Sequence, residues 1–204
     1  MRKRELIFVM AFGLVAAGCA SRVWVEPVVS PENVPRLAVL PFETDSFLST
    51  VGHQLADEIV AQLLKQAPDF EVVERSRIDA LVQEQELARG GYVSRETAVT
   101  LGRLLGVSAI LTGSVSLSVG DVQPTPLSAQ RVASGSVSVR LIDVQTGRIL
   151  WGDRLESQNA QFLGREDEGG TYQVRTDHEM VQDVIRELSR DVARAFTPHY
   201  EIRY

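Results

Sequence analysis

The feature that most constrains this chain is a change of hydrophobic period at Gly106. Before it, residues 70–105 read as a short strand and two helices. After it, apolar residues recur at every second position, as in a strand. Residues 70–74 are a short run with β-branched Val72 and Val73, Ser76 stands at a helix N-cap position, and Asp79 follows three residues on. Ile78, Leu81 and Val82 continue at helical spacing until Gly90-Gly91. Ser94 is placed to open the next helix, with Leu101, Leu104 and Leu105 as its inner face and Gly106 as a left-handed exit. From there Ala109, Leu111, Val115, Leu117 and Val119 alternate with Ser108, Thr112, Ser114, Ser116 and Ser118. Ile110 alone interrupts the polar side, which implies a strand covered on both faces at that point. This is scaffold, with no residue pattern that carries chemistry.

The flanking segments complete an α/β plan. Residues 36–42 form a buried strand ended by Pro41, and residues 51–66 a helix with Leu55, Ile59 and Leu63 inward. Pro124 and Pro126 argue against a central strand over 120–130. Alternation resumes at Val137, Val139 and Leu141, and residues 143–147 turn into Arg148-Ile149-Leu150-Trp151, a hairpin. Residues 154–175 are polar and read as a solvated connection, with an acidic loop at Glu166, Asp167 and Glu168. Thr176 and Glu179 form a capping box for a last helix through Phe196, closed by Pro198. The fold class is therefore α/β, a single domain with a small mixed sheet flanked by helices.

The start of the chain fixes its destination. Arg2, Lys3 and Arg4 precede an apolar run over residues 6–17, about a dozen residues, shorter than the roughly 20 that span a bilayer. The run ends in Ala16, Ala17 and Gly18 before Cys19, the single cysteine. This resembles the lipobox of bacterial lipoproteins, which implies cleavage before Cys19 and its modification by diacylglycerol and palmitate. The same resemblance implies outer-membrane sorting, because Ala20 is not Asp. The domain plan is then a signal peptide over 1–18, a lipidated, Pro-containing tether over 19–35 and a folded domain over 36–204. Trp24 and Val25 in the tether read either as interfacial residues near the lipid or as a short edge strand.

Charge and composition exclude other classes. The net charge is −6, and −8 once residues 1–18 are removed. An acidic chain without a basic cluster is a poor match for nucleic acid or anionic lipid heads. His53, His178 and His199 are the only imidazoles, and no glycine-rich phosphate loop, His-Glu helix pair or Ser-His-Asp motif occurs. No catalytic residue, metal site or cofactor is indicated. A weak cation at Glu166–Glu168 is outweighed by a plain solvated loop.

RLAVLPF, FEVVERSRIDALVQEQ, LGRLLGVSAILTGSV and LIDVQTGRILW occur in that order over residues 36–151. Together they resemble the CsgG-type lipoprotein family, whose named member is the curli secretion lipoprotein of the outer membrane. The resemblance implies an anchored, periplasm-facing α/β domain, with ring assembly in the secretion member. The secretion member also has membrane-crossing hairpins. Here the corresponding insertions, 120–134 and 156–175, carry prolines or charges and lack apolar alternation, so transmembrane hairpins are not expected. Two functional classes follow. One is a non-catalytic subunit or scaffold in export or assembly of an envelope or surface structure. The other is a tethered activator of a cell-wall synthase or motility structure. The expected partners are the membrane, through Cys19, and an envelope protein, with self-association open. Tyr172, Tyr200, Tyr204 and Trp151 are candidate contact residues, with core packing the preferred use of Trp151.

Overall fold

The computed structural model describes residues 21–44, 50–84, 94–125, 128–163 and 175–203. Its centre is a six-stranded mixed sheet. Strands β2 (Arg36–Val39), β3 (Glu43–Thr44) and β4 (Glu71–Val72) run parallel to their neighbours, while β5 (Ala109–Thr125), β6 (Ser128–Asp143) and β7 (Ile149–Leu163) form an antiparallel meander. The order is β4-β2-β5-β6-β7, with β3 beside β5. A separate two-stranded sheet joins β1 (Ser21–Val25) to β8 (His199–Arg203). Four helices complete the domain: α1 (Val51–Gln66), α2 (Arg75–Glu84), α3 (Arg95–Leu105) and α4 (Asp177–Arg194).

The two faces of the sheet carry separate cores. On one, Leu37, Val39, Leu111, Val115, Val137, Val139 and Leu141 meet Leu55, Ile59 and Leu63 of α1 and Met180, Val184, Leu188 and Val192 of α4. On the other, Ala38, Leu40, Ile110 and Ile142 meet Ile78 of α2 and Ala98, Leu101 and Leu105 of α3. Ile110 thus takes the place that its break in the pattern foretells. Each fully buried Leu or Ile contributes about 1.5–3 kcal/mol on leaving water, so both layers hold the sheet.

The helix ends follow local chemistry. Ser94 Oγ accepts from the Thr97 amide at 3.1 Å, and Gly106 closes α3 with φ of 67°. The expected capping box opens α4. Thr176 Oγ1 accepts from the Glu179 amide at 3.2 Å, and Glu179 Oε2 accepts from the Thr176 amide at 2.7 Å. Ser76 does not cap α2, because the helix already includes Arg75. Leu101 and Leu105 face inward on α3 as expected, while Leu104 is exposed and Ala98 completes the buried face. Gly90-Gly91, residues 166–168, Tyr172 and Tyr204 lie outside the described residues.

Three expectations are corrected. First, residues 120–125 and 128–134 are strand, so β5 and β6 form one long hairpin. The pairing register shifts between Val122 and Thr125, and Pro124 sits in that irregularity, where a missing amide interrupts no regular ladder. Second, β7 runs on to Leu163 through the polar segment that reads as a connection. A sheet with one wet face tolerates that polarity. Third, residues 21–34 are packed rather than free. Ser21–Val25 pair with β8, the Val29 amide donates to Ala195 O at 3.0 Å, and Val29 and Val34 are buried. The edge-strand reading of Trp24 and Val25 is the one the structure has. Strand β8, beyond Pro198, has no counterpart in the sequence reading.

Candidate functional site: the open face of the β5–β6–β7 meander

Beyond Thr112, which is 1% exposed, the sheet passes from three layers to two. Its inner face stays under α4. Val115 pairs with Val137, Leu117 with Gly135 and Val119 with Ala133. A Cβ on Gly135 would lie 2.5–3.2 Å from Leu117, Val184 and Leu188, so the missing side chain is what seats α4 on β6. The opposite face has no helix on it among the described residues. It presents Ser114, Ser116 and Ser118 from β5, Ser134, Ser136 and Ser138 from β6, and Arg154, Glu156 and Gln158 from β7. The pairs Ser114–Ser138, Ser116–Ser136 and Ser118–Ser134 stand directly across from one another. In the last, the hydroxyls are 2.8 Å apart.

Two shallow depressions lie on this face. One, about 430 Å³, is bordered by Ser116, Ser118, Ser134, Ser136, Glu156 and Gln158. The other, about 330 Å³, is bordered by Glu43, Thr44, Ser114, Ser138 and Arg154. Their chemistry is that of short hydroxyls that both donate and accept, rimmed by one exposed ion pair, Arg154–Glu156 at 3.5 Å. Such a face can bind through hydrogen bonds and flat backbone contact. Neither His199, whose Nδ1 meets Thr197 O at 3.0 Å, nor His178, exposed on the first turn of α4, belongs to the described face. Among the described residues, no group of three or more His, Cys, Asp or Glu could hold a metal ion.

The far end of the meander is tied to α4 by charge. Arg131 donates to Asp177 from Nε at 2.5 Å and Nη2 at 2.6 Å, a bidentate fork, and from Nη1 to Asp121 at 2.8 Å. The guanidinium holds the Asp177 carboxyl below its ordinary range, and the two carboxylates raise Arg131. Further along α4, Ser157 Oγ donates to Glu187 at 2.7 Å and Asn159 donates to Asp183 at 3.2 Å, with Arg175 also paired to Asp183. At the other end, Trp151 packs edge-on to Phe196 at 6.1 Å, the core use expected of it. Sequence reasoning missed the role of Arg131, whose partner Asp177 is 46 residues away.

The lipobox residues Ala16, Ala17, Gly18 and Cys19 lie outside the described residues. Tyr200 is exposed on β8 beside Trp24, their rings 4.8 Å apart and edge-to-face. No helix among the described residues is long and apolar enough to cross a membrane, which says nothing of strands. The apolar side of the described hairpin is occupied by α4 and its free side is hydroxyl-lined, the reverse of the apolar outer band of a membrane barrel.

Fold and face together define a mixed-sheet α/β scaffold with one open, polar sheet surface. Residues 35–118 match the model of the family described as curli production assembly/transport component CsgG. The matched segment holds β2, α1, α2, α3 and the inner half of β5, so the resemblance read from the sequence motifs is shown over this core. Among solved structures, the chain is similar to lipoprotein GNA1162 from Neisseria meningitidis. The two share 13% identity over 78% of this chain and 97% of that one, with a TM-score of 0.46. It is similar to the PelC dodecamer from Paraburkholderia phytofirmans at 13% identity, covering 86% and 96% with a TM-score of 0.43. The C-terminal domain of LpoB from Salmonella enterica gives 20% identity, 66% and 86% coverage and a TM-score of 0.40. No curated protein matches the chain.

Proposed function

We propose that this chain is an outer-membrane lipoprotein with a periplasm-facing domain, acting without catalysis as a subunit or scaffold in assembly or transport of an envelope or surface structure. Residues 1–18 are the cleaved signal and Cys19 is the acylated N-terminus. The observation that carries the reading is the match of residues 35–118 to the assembly/transport family, because it falls on the sheet-and-helix core that positions the open face. The lipobox agrees with it, and so does a surface chemistry suited to binding. The hydroxyl-lined sheet face is the surface for the envelope partner.

The test is the molar mass of membrane-extracted, lipidated protein in mild detergent by light scattering. An assembly of about eight subunits or more, a large closed ring of heterologous contacts, is the expected result. A monomer or dimer overturns the subunit reading and leaves a tethered accessory protein that acts on an envelope enzyme.

A further inference from the structure

The pairing of β1 with β8 places the start of the fold against the attachment point. Cys19 is two residues before Ser21, the first residue of β1, and two extended residues reach only about 7 Å. A domain held that closely cannot stand off the bilayer, so the surface beside β1 must meet lipid. That surface is apolar in an unusual way for this molecule. Trp24 is 49% exposed and Tyr200 65%, and the two rings meet edge-to-face across the β1–β8 pair. Arg22 is exposed one strand period before Trp24, on the same face. The Trp24 indole donates to Glu26 at 2.8 Å, which leaves an apolar ring body with its polar edge already satisfied. Indole and phenol rings of this kind settle at the headgroup level, and a nearby cation meets lipid phosphate.

We propose that Trp24 and Tyr200 form a membrane-docking face, seated in the interface of the bilayer to which Cys19 is anchored. This rests on the lipidation reading above. Helix α4 leads from the Arg131–Asp177 fork on the meander to Ala195, which holds Val29, and on into β8. Its 18 residues span about 27 Å. The fork end of the meander therefore lies about one α4 length from the β1–β8 pair beside the anchor.

The test uses the lipidated full-length protein in phosphatidylethanolamine–phosphatidylglycerol vesicles, with and without brominated acyl chains, after intact mass has established acylation. Trp151→Phe leaves Trp24 as the reporter, and Trp24→Phe leaves Trp151. Brominated lipid is expected to reduce Trp24 emission about twofold or more, as for a ring at headgroup depth, and to leave Trp151 nearly unchanged. Tyr200→Ser is expected to cancel most of that quenching and Tyr200→Phe to restore it. Tyr200 is far from Cys19 in sequence, so its effect cannot come from the tether alone. Acylated protein whose Trp24 is unquenched, or is quenched equally in Tyr200→Ser, overturns the docking face and leaves the anchor standing. Emission that follows protein concentration instead of lipid overturns it in favour of a second copy on this face. An unacylated Cys19 overturns the anchor itself, and the mass shows that separately.

Discussion

Gly113 and Gly135 lie on neighbouring strands, yet the structure assigns them very different tolerance. A Cβ on Gly113 would stand 1.9 Å from the Ser138 carbonyl oxygen and 2.9 Å from its carbon, both backbone atoms, and 3.0 Å from Phe42. Carbon and carbonyl oxygen approach to about 3.3 Å at closest, so β5 and β6 must part by roughly 1.4 Å. That movement breaks or stretches two or three ladder hydrogen bonds at about 1 kcal/mol each, and thins the packing of both cores beside them. The expected cost of Gly113→Ala is about 3–5 kcal/mol. Gly135→Ala meets only side-chain tips, Leu117 at 2.5 Å, Val184 at 2.7 Å and Leu188 at 3.2 Å. Overpacking there costs about 1–3 kcal/mol, and the lost flexibility of glycine returns about 0.5–1 kcal/mol. Urea unfolding reads both. With a slope of about 2 kcal/mol/M, Gly113→Ala lowers the midpoint by about 1.5 M or more and Gly135→Ala by no more than about 1.2 M. A midpoint for Gly113→Ala within about 0.3 M of the parent refutes the strand-contact argument, as does an equal loss at the two positions.

Other expectations follow from single contacts. Leu188→Ala removes a fully buried side chain between α4 and the meander and should lower stability by about 2–5 kcal/mol, read as a urea midpoint shift. Thr176→Ala removes the capping box of α4 and should cost about 1 kcal/mol, with Thr176→Ser recovering most of it. Asp143 accepts from the Thr146 hydroxyl and amide, both at 2.6 Å, and the hydroxyl bond is the larger cause of its lowered pKa. Its contribution is therefore present above about pH 4 and is lost as pH falls through the folded value. Asp143→Asn should unfold with a smaller midpoint difference between about pH 3 and about pH 7 than the parent shows. An equal difference in the two proteins refutes the assignment.

The parts of the fold that were legible in sequence are those whose signals are local. Ser94 with Thr97, Thr176 with Glu179 and Gly106 each act within one turn, and they mark helix ends in any context. Ile110 showed the two-sided burial because Ser108 and Thr112, two positions away on the same side of the strand, are polar. The long hairpin was hidden for the opposite reason. Its open face is made of Ser and Gly, which carry little strand preference, and Pro124 signals a break that a bulge absorbs. Pairing of Ser21 with Arg203 joins the two ends of the described chain, and nothing near either residue announces the other. The same holds for the Arg131–Asp177 fork. The open face was therefore visible as a row of serines but not as a surface, because its meaning depends on α4 covering the other side.

The lipid anchor is tested by fractionation of cells producing the parent and Cys19→Ser. The parent is expected in the outer-membrane fraction, with its chain starting at an acylated Cys19. Cys19→Ser is expected either uncleaved or released with the soluble periplasmic contents. If both forms are processed and distributed alike, the chain is not a lipid-anchored envelope protein.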